Sequence, residues 1–292
     1  MNSMKSYVGS DSNSNLVGYQ IPKRIVQIGK DVNLPLRNRA AVATIRLLNP
    51  DYEYLFFDNL QQREFVAREF PHYLAVFDSF RFLIQRCDFF RYLAIYRYGG
   101  FYFDPDVFLA LGLSDLLEHR CVFPFEALTV SRFLRDDLGM DWLIGNYAFG
   151  AVPQHPFLKA IIDNCVRGQR DPKWVKRMMR GSPPLLDEEF FVINSTGPGL
   201  VSRTLAEHKE LAKTVTVLFP DDVCDIRNCW NRFGELGVHL ADSSWRKNRN
   251  FVRHKFSDYC WRWIQYRNVQ RARLLGKSRC HTCEPRCAAS TE

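Results

Sequence analysis

The chain lacks any run of eighteen apolar residues, so a helix able to span a membrane is not expected. It also lacks the apolar stretch of a secretion signal at its start. Met1 to Asn15 is polar and rich in Ser and Asn, which predicts a disordered tail over residues 1–18. There is no internal repeat and no Pro/Gly/Ser-rich linker, so residues 19–275 read as one domain. These absences together give the expectation of a cytoplasmic protein, at most peripheral at a membrane surface.

Paired cysteines are scarce as well. The nine cysteines are an odd number, and Cys87, Cys121, Cys165, Cys224, Cys229 and Cys260 are scattered among apolar neighbours, as buried thiols are. Cys280, His281, Cys283 and Cys287 offer a Cys-x-x-Cys with a third Cys and a His, but no second pair follows. Two readings stay open for residues 276–292: a zinc knuckle, and a tail with reactive thiols.

Acid is nearly absent from one segment. Within a net charge of +8, Arg246 to Arg279 holds eleven Lys/Arg and one acid, Asp258, together with Phe251, Phe256, Tyr259, Trp261, Trp263, Ile264 and Tyr266. A basic, aromatic helix suits an anionic membrane surface. It equally suits a C-terminal helix that packs Phe256, Tyr259, Trp263 and Leu274 on the core and solvates its charges. Nucleic acid is the weakest of the three readings.

What is present in quantity is core. At 292 residues, 46% hydrophobic and 14% aromatic, the chain can bury a large interior. Strands are predicted at Lys23–Gly29, Tyr52–Phe57, Phe101–Phe103, Asn146–Ala151, Val215–Phe219 and Gly237–Leu240. Helices are predicted at Arg37–Leu48, Asn59–Phe70, Phe82–Tyr98, His155 through Cys165, and Leu200–Glu207. Their alternation predicts an α/β fold with a mostly parallel central sheet flanked by helices, and ligands beyond the carboxyl ends of its strands.

One such end carries chemistry. The helix around Cys87-Asp88-Phe89-Phe90-Arg91-Tyr92 stops at Gly99-Gly100, and Phe101-Tyr102-Phe103 then leads into Asp104-Pro105-Asp106. Asp-Pro-Asp alone reads as a turn. Two carboxylates closing a buried strand instead call for a cation, and a hard divalent ion with oxygen ligands could in turn hold a diphosphate. Asp88 and Arg91, three apart, share a helix face, as a functional pair or as a surface ion pair worth little. His239 is a third metal ligand, a diphosphate donor, or a hydrogen-bonded structural histidine. Asp187, Glu188 and Glu189 form an acidic cluster in an expected solvated loop, from which one acid could face a reacting group.

These residues resemble the glycosyltransferases whose sugar-binding region carries a DXD motif, specifically glycosyltransferase family 32. The resemblance runs in order from Ile21 to Trp245: Ile21–Ile28 as the opening strand, Asp88 to Arg91 as the Asp-x-x-Arg helix, Tyr98 to Asp106 as the DXD strand, then Gln154–Leu158, Thr196-Gly197-Pro198 and His239–Trp245. The catalytic domain of the clostridial glucosylating toxins is similar in its Asp-x-x-Arg to DXD spacing. The resemblance implies a GT-A fold and transfer of a hexose from a UDP- or GDP-linked donor to a glycan or lipid-linked acceptor, with Mn2+ or Mg2+ and retention of configuration. It implies that Asp88 and Arg91 bind donor-sugar hydroxyls, that Tyr102 lies against the nucleoside, and that Asp104 and Asp106 bind ribose and metal. It places Gln27 and Ile28 in the donor site and closes Ser243 and Trp245 over the diphosphate. Asp88, Arg91, Asp104 and Asp106 are the expected catalytic set, and Asp104, Asp106 and His239 the expected metal set. The family pattern usually has His and Trp where this chain has Val26 and Gly29, and Pro105 stiffens the DXD loop. The missing aromatic motivates an alternative, a degenerate transferase that binds nucleotide sugar or glycan without turnover.

Overall fold

In the computed structural model the predicted alternation closes into two sheets; residues 20–31, 33–241 and 251–275 are described. The elements are β1 (Arg24–Ile28), α1 (Leu36–Leu48), β2 (Glu53–Phe57), α2 (Asn59–Glu69), α3 (Leu74–Ser79), α4 (Leu83–Tyr98), β3 (Gly100–Phe103) and β4 (Val107–Leu109). They are followed by β5 (Cys121–Leu128), β6 (Trp142–Ile144), β7 (Ala148–Ala151), α5 (Pro156–Arg170), α6 (Pro172–Met178), α7 (Asp187–Ser195), α8 (Pro198–Glu207) and α9 (Lys209–Ala212). β8 (Thr216–Leu218), α10 (Ile226–Cys229), β9 (Arg232–Phe233), β10 (Gly237–His239) and α11 (Phe251–Leu274) complete the described chain.

The main sheet has seven strands in the order β2-β1-β3-β7-β5-β6, with β8 also on β5. β1, β2, β3, β5 and β8 run one way, and β6 and β7 oppose them, so the expected mostly parallel sheet is observed with two antiparallel insertions. A small antiparallel sheet, β4-β10-β9, abuts it. Helices that bury an apolar face account for the layering. α5 sets Phe157, Leu158, Ile161, Ile162 and Cys165 inward, and α4 buries Phe89 through Ile95 on all sides. The core is rich in rings, with Phe123 stacked on Phe149 at 4.8 Å.

Local chemistry fixes the element ends. Asp58 accepts from the Gln61 N–H and Gln61 returns the bond to the Asp58 N–H, a capping box at the head of α2. α4 ends at Gly99 (φ 66°), and Gly100 follows at φ 99°. A Cβ on Gly100 would lie 2.5 Å from the Arg24 carbonyl oxygen in the neighbouring β1. Two consecutive left-handed residues therefore drop the chain directly from the helix into β3. Gly100→Ala is expected to cost about 2 kcal/mol or more, read as a lowered urea midpoint; an unchanged midpoint would show that β3 can move off β1.

Two expectations are corrected. Asp187, Glu188 and Glu189 form the first turn of α7, where carboxylates meet the positive end of the helix, rather than a loop. In α11 the core-facing residues are Ile264, Val269 and Ala272, whereas Tyr259, Trp263 and Leu274, set against the core in one of the three readings, are exposed. Asn268 explains the choice of face: its amide donates to the carbonyls of Leu128 (3.4 Å) and Thr129 (3.2 Å), anchoring α11 to the end of β5. Cys121, Cys165 and Cys224 are buried free thiols, and Cys87, Cys229 and Cys260 are half-buried free thiols. The 1–18 tail, Phe256, Ser243, Trp245 and the Cys280–Cys287 cluster lie outside the described residues or side chains. No helix among the described residues is long and apolar enough to cross a membrane.

Candidate active site

The site forms where the two sheets meet. β3 belongs to the main sheet and β4 to the small one, so the turn between them, Asp104-Pro105-Asp106, sits on the seam. The small sheet supplies the third group. β10 pairs antiparallel with β4 in a register that sets His239 opposite Val107, one residue from Asp106. The Leu240 N–H donates to the Asp106 carbonyl at 3.1 Å, and the His239 ring stacks on Tyr147 at 4.3 Å. One ligand atom each from Asp104, Asp106 and His239 then lies within 4.8 Å of the others.

Beneath this cluster is a buried charge network. Arg91, 3% exposed, reaches Asp88 at 3.2 Å and Asp104 at 3.1 Å, donates to the Asn146 carbonyl at 2.8 Å, and lies over the Tyr102 ring at 4.5 Å. Asp88 accepts from Asn146 Nδ2 (3.0 Å) and the Thr196 hydroxyl (2.9 Å). The Tyr102 hydroxyl donates to Asp104 at 2.5 Å. Tyr92 donates to the Thr196 carbonyl at 2.7 Å and accepts from Asn146 at 2.8 Å, so α4, the β6–β7 connection and the α7–α8 turn converge on one point. The Asp88–Arg91 pair is therefore interior, and the surface-pair alternative is set aside: its charges are held by partners on three elements.

Electrostatics follow from this burial. Burial pushes the Asp88 carboxyl up to about 6 against the pull of Arg91, Thr196 and Asn146. Asp104 is raised by burial and by Asp106, with Arg91 and His239 opposing. Burial alone would lower His239, but Asp106, Asp104 and Glu126 outweigh it and raise the imidazole. Two carboxylates and an imidazole converge, with His239 Nδ1 buried and without a hydrogen-bond partner. This is a donor set of hard oxygens and one borderline nitrogen, which fits a divalent cation.

The other expected site residues fall around this centre. Gln27 is buried at the end of β1; its amide faces the carbonyls of Phe103 (3.3 Å) and Asp104 (3.4 Å), and Tyr54 donates to its oxygen at 2.9 Å. Ile28 packs in the main core. Tyr102 is fully buried and presents its hydroxyl to Asp104 from below. Asn146, Tyr147 and Glu126 carry no motif of their own, and Thr196 is legible only as the head of the Thr196-Gly197-Pro198 turn of the resemblance. The Asn146 amide and the Thr196 hydroxyl become significant once α4 lies beside them. Of the acidic cluster, Glu188 pairs with Arg81 at 3.0 Å and Glu189 is buried.

Part of this site lies in a segment that matches a known family. Residues 35–123, which include Asp88, Arg91, Asp104 and Asp106, match the family described as the glycosyltransferase sugar-binding region containing the DXD motif. The inositol phosphoceramide mannosyltransferase 2 of Schizosaccharomyces pombe is 35% identical over 144 residues, 49% of this chain and 38% of the relative. The mannosyl phosphorylinositol ceramide synthase SUR1 of Saccharomyces cerevisiae is 33% identical over 142 residues, 48% of this chain and 34% of the relative. The chain thus spans well under half the length of these curated relatives. Among solved structures, the UDP-bound glycosyltransferase domain of the YGT toxin aligns with a TM-score of 0.47 and 10% identity, over 68% of this chain and 80% of that one. The expected likeness to DXD glycosyltransferases is borne out.

Proposed function

We propose that this chain, similar over residues 35–123 to DXD glycosyltransferases, is a metal-dependent GT-A glycosyltransferase that moves a hexose from a UDP- or GDP-linked donor to a glycan or lipid-linked acceptor with retention. The observation that carries the reading is the convergence of Asp104, Asp106 and His239 at a strand end, above a buried arginine. The names of the two yeast relatives support mannose as the hexose and a phosphoinositol-bearing lipid as acceptor in this reading.

The residues divide the work by depth. Asp104, Asp106 and His239 would hold the divalent cation, which when bound offsets the negative charge growing on the departing diphosphate. Arg91 and Tyr102 fix Asp104 from beneath, so its carboxylate is pre-oriented before any ligand arrives. Asp88 and Arg91 form the floor of the donor-sugar pocket. Gln27 holds the backbone of the DXD turn, through which the opening strand acts on the donor side. Ser243 and Trp245 remain assigned to the diphosphate.

Thermal stabilisation by UDP, GDP and their sugar conjugates, with and without Mn2+, tests this reading. A ligand at 100 times its dissociation constant adds about 2.7 kcal/mol, and one nucleotide is expected to give such a shift only with metal. No shift with any of them would sink it. A second reading, binding without turnover, draws on Gly29, where a Cβ would already lie 2.7 Å from Phe56, so no aromatic platform can stand there without rearrangement. Product formation on any acceptor removes that alternative.

A further inference from the structure

α11 has two faces, and the core uses only one. Ile264, Asn268, Val269 and Ala272 seat it on β5 and α7. On the other side Tyr259, Arg262, Trp263, Tyr266, Arg267 and Arg271 are all exposed, and their spacing of three and four places them in one stripe along the helix. The aromatic members are far from marginal: Tyr259 is 68%, Trp263 51% and Tyr266 59% exposed. Arg267 lies over the Trp263 ring at 4.8 Å, so the charge and the ring present themselves together. From Tyr259 to Leu275 there are four arginines and no acid. Arg271 also lies in the field of Asp136 on the neighbouring segment, a carboxylate already bonded to Arg135 at 2.7 Å.

We infer that this stripe is a membrane-docking face that lays α11 in the headgroup region of an anionic lipid surface. Trp and Tyr have an apolar body and a polar tip and partition to that layer, while arginines pair with anionic headgroups. The helix ends in bare aliphatic surface, Leu274 at 87% and Leu275 at 57% exposed. Aliphatic groups gain nothing against a phosphate backbone but do gain at an acyl-chain boundary, which favours lipid over nucleic acid. The placement is also apt. α11 is bonded to the end of β5, and β5 carries Glu126, whose charge acts on His239. The docking face and the candidate metal site thus share one strand. The inference deepens the lipid-acceptor reading and rests on it for its purpose, though its binding test does not use the site.

The full chain is sedimented with vesicles of phosphatidylcholine containing about a third phosphatidylglycerol, and with pure phosphatidylcholine vesicles, at low and physiological salt. Binding to the anionic vesicles, weakened by salt, is expected. R262Q/R267Q removes two charges and should weaken it roughly thirtyfold. W263A/Y266A should also weaken it, and more so at high salt, where the apolar contribution is left. All four side chains are exposed, so unfolding temperatures should match the parent. Failure to sediment with anionic vesicles overturns the inference. So does binding that neither variant changes, or tighter salt-dependent binding to duplex DNA or RNA. Metal-dependent stabilisation by nucleotide reports the transfer reading separately. If it is absent from the parent chain while vesicle binding and its loss in the variants hold, the docking face stands and the transfer reading falls.

Discussion

Asp106→Asn is expected to lower kcat/KM by three orders of magnitude or more, about 4 kcal/mol of transition-state stabilisation, without lowering the unfolding temperature of the ligand-free protein. The two halves of that result come from different atoms. The Asp106 carbonyl, which accepts from Leu240, is untouched by the change and keeps β10 in register with β4. Asparagine keeps the volume and one acceptor for His239. What goes is the charge, and in the ligand-free protein that charge is partly a burden, because it raises Asp104 beside it. Relieving that repulsion offsets the lost attraction to His239, so stability should hold or rise slightly, the usual relation between a functional carboxylate and the fold that carries it.

The same substitution should abolish the metal-dependent part of the thermal shift given by the nucleotide, because two ligands remain where three converged. The decisive comparison is between kcat/KM and melting temperature in one variant. Activity within tenfold of the parent would remove Asp106 from the metal set. An activity loss matched by a large drop in melting temperature would make the residue structural. Asp104 is the poorer residue for this experiment. It is bonded to Arg91 and Tyr102, so its removal disturbs the buried network as well as the metal site.

Much of this arrangement was legible in the sequence. The strand–helix alternation, the glycine stop after α4 and the pair of aspartates at a strand end are local signals, each written in residues that sit together in the chain. Asp88 and Arg91 were legible as a pair because helical spacing alone puts them on one face. What sequence could not show was depth. That the pair is interior depends on Asn146 from the β6–β7 connection and Thr196 from the turn before α8, which arrive only through the sheet order and the α4–α5–α8 layer. Asn146 has no pattern that marks it, and Thr196 is marked only as the head of Thr196-Gly197-Pro198, which says nothing of a contact with Asp88. Tyr102 is the converse case: the family resemblance implies a surface for the nucleoside, and pleat alternation turns the ring inward under Arg91. Of the readings open for α11, core packing by Tyr259, Trp263 and Leu274 fails because its apolar residues are larger on the exposed side than on the buried one. Asn268, a polar residue, decides the seat by finding two carbonyls at the end of β5.

The network under the site gives the largest expected effect on stability. Arg91→Met keeps the length and apolar stem of the side chain and removes its charge, leaving Asp88 and Asp104 buried without their shared cation. Breaking one side of a buried ion pair costs about 3 to 5 kcal/mol, and here two carboxylates lose the same partner. The pH dependence gives the mechanism away. Asp88 already stands at about 6 with Arg91 pulling it down, and Asp104 is raised with Arg91 opposing, so without the arginine both rise further. A carboxyl raised in the folded state contributes most when protonated, below its unfolded value, and that contribution is lost as pH rises through the folded value. The deficit of Arg91→Met relative to the parent should therefore be largest near pH 8 and shrink toward pH 5. Urea unfolding at both values measures it. A further substitution, Asp88→Asn, should restore part of the loss at pH 8, since Asn146 and Thr196 can both still bond to an amide. A deficit under about 1 kcal/mol, or one that does not change with pH, would mean that water reaches these carboxylates and that the buried network does not hold Asp104 in place.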